Sequence, residues 1–409
     1  MFRAGPAVTG DRHRQGRNES RGVWLLAAGQ TVVWACLYYG FAALLPRWEA
    51  ALGWGKATLS LGLTVAVLTA AAAAPLAGRA VDAGRGTALL GLGAAVGAVG
   101  LTLLAATESR AGFLAAWTVI GAAQAACLYE PCFAVTTRAL GALARPAVTR
   151  ITLVAGFAST LAFPAWTAGA EALGWRGAAL AAAAVCAAVG APLLVSGARS
   201  LEGAAGPAAP RRPRREDDAA ARAALGRPAF WLIGIGFSAM ALNHGILLNH
   251  ILPLLAERGV AEGTAVAVAA TFGPAQVAGR LGAMAVERRV GAAPMAAVAF
   301  SAAVGAALLL AIAGGATSVL FAFAAAQGAA FGLVSLLRPV VTAERLGLKA
   351  FGRVSGLLAA PYLAASAAAA PLGAALWSLG GYGLAVACAA LCAALGLAAT
   401  LALARAPRA

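Results

Sequence analysis

Apolar runs of about 20 residues recur along almost the whole chain, and each is long enough to cross a hydrocarbon core about 30 Å thick as a helix. They fall at 22–46, 57–79, 87–106, 111–137, 148–171, 177–197, 229–254, 263–285, 292–313, 317–341, 351–376 and 381–404. Twelve spans are therefore predicted, in an all-α integral membrane protein. Composition agrees: 61% of the 409 residues are hydrophobic and 11% charged, against about 45–50% and 25% in soluble domains.

A net charge of +16 would suggest nucleic acid in a soluble protein, but here its placement decides. With the N-terminus inside, only Arg47, Lys56, Arg110, Arg176 and Arg258 fall on the outer side, and the remaining Lys and Arg lie in tails and cytoplasmic ends. This is the positive-inside asymmetry that sets orientation during insertion. It predicts a multi-pass protein of the inner (cytoplasmic) membrane with both termini cytoplasmic, and no nucleic-acid partner. The segment 1–21 has neither the apolar core nor the cleavage site of a signal peptide, and reads as a cytoplasmic tail. All six cysteines lie within apolar spans, where they pack as small hydrophobes; no metal and no cofactor is expected.

The Pro-, Arg- and acid-rich stretch 199–228 divides the chain into a six-span bundle at 22–198 and another at 229–404, with a short tail at 405–409. Its cluster "RRPRRE" is suited to anionic lipid headgroups and equally to a plain solvated linker. The halves resemble each other in order and spacing. "EPCFAVTTRALG" (130–141) aligns with "RPVVTAERLG" (338–347), "LGWRG" (173–177) with "LGGYG" (379–383), and "LAGRAVDAGRG" (76–86) with "VAGRLGAMAVERRVG" (277–291). Two parallel six-helix repeats, related by a pseudo-two-fold axis along the membrane normal, follow from this pattern.

With these residues in view, the chain resembles the major facilitator superfamily of secondary transporters. The most specific stretch is the loop between spans two and three, where Gly78, Asp82, Gly84 and Arg85 resemble the superfamily's Gly-x-Leu-x-Asp-Arg-x-Gly-Arg, while Ala80 and Ala83 depart from it and the second glycine arrives one residue early. The resemblance implies that Asp82 and Arg85 join an inter-helical charge cluster favouring the outward-facing state. Within the superfamily the chain looks most like the monocarboxylate porter and oxalate–formate antiporter branch. The likeness rests on "YYGFAALLPRWEAALGWGKATLSLG", "LGWRGAAL", "HILPLLAERGV" and the arginine of "GPAQVAGRLG". In that branch an arginine on span eight binds substrate carboxylate. Arg280 is the matching position, although the glycine expected four residues later stands two later, at Gly282.

Ionisable groups inside a membrane are costly and therefore candidates for function. Glu130 lies eight residues before Arg138, about 12 Å up a helix. Its repeat-related position is Arg338, so an acid and a base face similar depths of spans four and ten, as a proton-coupling pair or a gate. On span seven His244, His250 and Asn243 supply polar lining. His244 and His250 are six residues apart, about 120° around a helix, so they form no chelating face. On span one Trp34 and Tyr38 share a face with Phe41 and can form the wall of a small-ligand pocket.

The expected function is a secondary transporter moving a small organic anion by alternating access, coupled to protons or to exchange, and working as a monomer among membrane lipids. Efflux of an amphipathic, drug-like compound is the alternative. A polytopic receptor or enzyme is the alternative outside transport, but no phosphate-binding loop or catalytic constellation is visible, and no enzyme is expected.

Overall fold

The computed structural model describes residues 6–141, 144–202, 222–286, 289–347 and 351–405. The basic cluster at 211–216, most of the linker, and the ends 1–5 and 406–409 lie outside them. Among the described residues the only regular structure is helical.

Among the described residues nine continuous helical stretches are long and apolar enough to cross a bilayer. Two of them hold two spans each. Ala158–Val185 carries non-helical geometry at Gly174 (φ 69°, ψ 166°) between spans five and six. Phe351–Arg405 does so at Gly380 and at Gly381 (φ 68°, ψ −174°) between spans eleven and twelve. A left-handed glycine occurs in each of the two aligned segments, at Gly174 in "LGWRG" and one position later, at Gly381, in "LGGYG". A residue with a Cβ is strained there and glycine is not. Span eight is Glu262–Val286, a less apolar helix that carries Gln276 and Arg280.

The span-one helix begins at Pro6, well before the apolar run. Proline suits a first helical turn, and a helix already nucleated inside the membrane extends at low cost. Span one is then interrupted by a π-helical turn, Ala35–Tyr39, before Gly40–Leu52. Span four breaks at Leu128, between Arg110–Cys127 and Tyr129–Leu140.

The polarity of an ordinary core is relaxed at the surface, as a bilayer requires. Leu92 is 65% exposed, Ile312 78% and Leu391 70%. Small residues fill the interior instead and let helices approach closely. The clearest case is the seam between span eight and span ten, Thr317–Leu346, where a Cβ added to Gly332 would fall onto the Gln276 backbone.

Buried side-chain amides tie first and fourth spans within each half. The Gln30 Nε2 donates to the Cys127 carbonyl at 2.7 Å and the Gln124 Nε2 to the Leu37 carbonyl at 2.8 Å, joining spans one and four. In the second half the Gln327 Nε2 donates to Asn243 Oδ1 at 2.6 Å, and Asn243 Nδ2 to the Ala389 carbonyl at 2.8 Å, joining spans seven, ten and twelve.

A related device serves proline. Proline has no N–H, so the carbonyl four residues earlier loses its helical partner. Pro131 frees Cys127, which Gln30 satisfies. Pro274 frees Ala270, which the Thr160 hydroxyl satisfies at 3.1 Å; Pro371 frees Ala367, which the Thr64 hydroxyl satisfies at 2.7 Å.

By contacts the chain forms two compact units: Met1–Tyr39, Thr69–Ala158 and Gly169–Ala209 in one, and Gly40–Leu68, Ser159–Ala168 and Pro210–Ala409 in the other. The second unit thus takes in the later part of span one, the first part of span two and part of span five. Within it Arg47 pairs with Glu262 at 2.7 Å and Lys56 with Glu49 at 2.9 Å. The Lys56 ammonium also sits 3.7 Å from the Trp377 ring centroid, and the Trp377 indole donates to Glu257 at 2.5 Å.

Candidate functional site

Span ten is the spine of the candidate site. Phe331, Ser335 and Arg338 follow each other at spacings of four and three, which places them on one helical face. Each receives a group from another span of the same unit.

The His244 ring lies flat on Phe331, with centroids 3.5 Å apart and planes 7° from parallel, and meets the edge of Phe272 at 6.1 Å. His244 is buried, and its Nδ1 finds no hydrogen-bond partner among the described residues. One turn further along, Arg280 reaches Ser335 Oγ through Nε at 3.4 Å and Nη2 at 3.3 Å, and Gln276 Oε1 through Nη2 at 3.4 Å. The Ser335 hydroxyl itself donates to the Gly332 carbonyl at 2.8 Å, so its lone pairs are what Arg280 meets. These guanidinium contacts are longer than the 2.7–2.9 Å common for charge-assisted bonds. Ser335 is exposed although Arg280 is only 6% exposed. At the third position the Arg338 guanidinium lies 4.3 Å over the Tyr362 ring, and its buried Nη1 has no partner among the described residues.

Asn243 and His250 stand apart from this stripe. Both ends of the Asn243 amide are occupied, by Gln327 and by the Ala389 carbonyl, which makes it a joint between helices. His250 caps the break between Pro228–Asn249 and Ile251–Glu257. Its Nε2 meets the Ala370 carbonyl at 2.8 Å and its Nδ1 the Tyr382 hydroxyl at 3.5 Å. A carbonyl only accepts, so Nε2 carries the hydrogen and Nδ1 accepts from Tyr382.

In the first unit Trp34 and Tyr38 belong to an aromatic cluster. Trp34 lies 5.0 Å from Tyr38 and 4.7 Å from Tyr129, which stacks on Phe133 at 4.9 Å. Phe41, expected on the same face, is fully buried and packs on Trp48 at 5.8 Å. A π-helical turn, Ala35–Tyr39, lies between Trp34 and Phe41, and its winding is wider than that of an α-helix. Glu130 is exposed in the first turn of Tyr129–Leu140, where the helix dipole favours a negative charge.

In the loop after span two, Gly84 turns with φ 77°, and Arg138 donates to the Val81 carbonyl beside it. Arg85 is the residue before span three and makes no side-chain cap. The carboxylate over that helix start is Glu202, which accepts from Thr87 N at 3.3 Å and Thr87 Oγ1 at 2.6 Å. Asp82 and Gly78 lie on the preceding helix, and a Cβ at Gly78 would meet open space.

Ser335, Phe331 and Tyr362 were not singled out from sequence. The one available signal was the spacing of 331, 335 and 338 on a helix that carries Arg338 within its apolar run.

Apolar helices long enough to cross a bilayer define a polytopic membrane protein. The model of the Major Facilitator Superfamily matches residues 26–324, and the chain belongs to that superfamily. Its fold is that superfamily's, two six-helix bundles. No curated protein matches the chain in sequence. Among solved structures it is similar to a bacterial homolog of the human lysosomal transporter Spinster, at 15% identity and TM-score 0.64, covering 95% of each chain. It is also similar to the nucleoside transporter NupG, at 14% identity and TM-score 0.65, covering 95% of this chain and 100% of that one. A third likeness is to tetrameric PepTSo2, at 16% identity and TM-score 0.65, covering 94% and 97%. At these identities the likeness is one of fold.

Proposed function

We propose that this transporter moves a small organic anion, a carboxylate, across the cytoplasmic membrane by alternating access, with both termini inside. Arg280 carries the reading. Its guanidinium is buried near the end of span eight, close to the exposed Ser335, and its contacts to the neutral groups of Ser335 and Gln276 are long. A carboxylate offers shorter, bidentate, charge-assisted bonds and displaces such partners. His244, stacked on the same face of span ten, supplies a second polar contact. This arrangement supports placing the chain in the monocarboxylate porter and oxalate–formate antiporter branch.

Glu130, an exposed carboxylate on span four, is the proton carrier if transport is proton-coupled; exchange of one anion for another needs none. The domain reading is a bundle at 22–198, a cytoplasmic linker at 199–228 and a bundle at 229–404, acting as a monomer. A second reading, efflux of an amphipathic compound, is favoured by the aromatic cluster of Trp34, Tyr38 and Tyr129.

Counterflow in proteoliposomes separates the two. The anion reading expects labelled short-chain carboxylates to equilibrate only into vesicles preloaded with the same acid. Equilibration of a lipophilic amine but of no carboxylate supports efflux instead.

A further inference from the structure

Thr64 and Thr160 each donate to a carbonyl on another helix, and the sequence repeat relates the two pairs to each other. Thr64 on span two reaches Ala367 on span eleven, and Thr160 on span five reaches Ala270 on span eight. Two of the aligned segment pairs begin at 130 and 338 and at 173 and 379, offsets of 208 and 206. Thr64 and Ala270 stand 206 positions apart, and Thr160 and Ala367 stand 207 apart. The donor of each pair is therefore the repeat partner of the acceptor of the other. Thr64 is the ninth residue of Lys56–Asp82 and Ala270 the ninth of Glu262–Val286, so these two share a depth along equivalent helices. Both bonds join a span of the first repeat to a span of the second, and all four residues lie in the second compact unit.

The acceptors have no alternative within their own helices. Pro371 and Pro274 carry no N–H, so Ala367 and Ala270 depend on the threonines, and a bare carbonyl inside a bilayer is costly. The donor is better placed, because the Ser60 carbonyl of its own helix stands 3.4 Å from the Thr64 hydroxyl, against 2.7 Å for the bond to span eleven. Breaking that bond spares the threonine and strands the carbonyl. The Arg47–Glu262 ion pair also joins the repeats, but its side chains are 33% and 60% exposed, and water replaces an exposed partner at little cost. When the repeats move against each other, a contact of the exposed kind parts easily and one of the proline-freed kind holds.

We infer that the Thr64–Ala367 and Thr160–Ala270 bonds are the pivots of alternating access, kept in both states while the Arg47–Glu262 contact opens. This rests on the transport reading and adds to it the points at which the moving halves stay joined. Two rigid bodies joined at two points turn only about the line through those points. A single hydrogen bond suits such a joint, since a carbonyl oxygen accepts over a broad range of directions.

Crosslinking of the full-length protein in proteoliposomes tests this. Cysteines are introduced as the pair Thr64→Cys, Ala367→Cys and, separately, as Arg47→Cys, Glu262→Cys, and each pair is joined by a short bifunctional methanethiosulfonate. The parent chain, treated alike, controls for its own six cysteines. Counterflow is followed with labelled butyrate and with a labelled lipophilic amine. Joining 64 to 367 is expected to leave counterflow running. Joining 47 to 262 is expected to stop it until a reducing agent cleaves the link.

A second measurement needs no crosslink. Ser60, one turn before Thr64, is fully buried, so the labelling rate of Ser60→Cys by a membrane-impermeant maleimide reports opening at that end of span two. A bond kept in both states favours neither. Adding Thr64→Val or Thr160→Val is therefore expected to lower the unfolding temperature and leave the labelling rate unchanged, whereas adding Arg47→Gln raises that rate. Counterflow stopped by the 64–367 link or untouched by the 47–262 link overturns the pivots and leaves the transport reading intact. So does a labelling rate that Thr64→Val changes or that Arg47→Gln leaves unmoved. Wild-type vesicles that equilibrate neither butyrate nor the amine contradict the transport reading and the pivots with it.

Discussion

The Thr64 hydroxyl donates at 2.7 Å to the Ala367 carbonyl, the acceptor that Pro371 leaves without a helical partner. A side chain on span two thereby completes the backbone of span eleven, and Thr160 does the same for Ala270 and Pro274 between spans five and eight. Proline can thus stand inside a membrane helix because a neighbouring helix supplies the missing donor. Thr64→Val is expected to lower stability by about 0.6–1.7 kcal/mol, the range for side-chain hydrogen bonds between membrane helices. The double variant Thr64→Val, Pro371→Ala should recover part of the loss, because alanine restores the N–H that Ala367 lacks. Thermal unfolding in detergent reads both, and a Thr64→Val protein as stable as the wild type contradicts the account.

Asn243 was expected to line a substrate path, yet its amide is committed to Gln327 and the Ala389 carbonyl. Asn243→Ala leaves two buried groups without partners and should cost about 1–3 kcal/mol. The loss should show as a lower unfolding temperature with or without substrate. A variant of normal stability but weakened substrate affinity argues for direct contact instead.

Gly332 sets the distance between spans eight and ten. In Gly332→Ala the new methyl meets the Gln276 backbone, and overpacking of this kind costs about 1–3 kcal/mol. Because Gln276 and Arg280 move together, the same change should weaken anion binding. Measuring affinity beside unfolding temperature checks the coupling; full affinity in a destabilised Gly332→Ala protein breaks it.

His244→Phe preserves a flat ring for stacking on Phe331 and removes Nδ1. Stability is expected to hold within about 0.5 kcal/mol, the usual scatter of mild substitutions, while counterflow of a carboxylate falls. Undiminished counterflow assigns His244 to packing alone.

The spans were legible because a bilayer admits few kinds of segment, and length with apolarity identifies them. The boundaries between spans five and six and between eleven and twelve were equally plain, since Gly174 and Gly381 mark them in sequence. Span four was read as one helix from 111 to 137, whereas it breaks at Leu128; Pro131 carried the hint. The π turn at Ala35–Tyr39 has no local signature. Arg280 was visible as a costly charge, but its partner Ser335 lies 55 residues away. Such pairings are set by helix packing, as is the capture of the Cys127 carbonyl by Gln30. Local pattern does not contain them.

The central claim is that Arg280 binds a carboxylate, and thermal unfolding of the purified protein with and without short-chain carboxylic acids tests it most directly. A ligand bound only to the native state stabilises it by RT ln(1 + [L]/Kd), about 2.7 kcal/mol at a hundredfold excess over Kd. The account predicts that the wild type shifts upward with a carboxylate, that Arg280→Lys shifts less because it keeps charge without the planar fork, and that Arg280→Ala does not shift. An Arg280→Ala protein stabilised as much as the wild type would contradict it and move the anion site elsewhere.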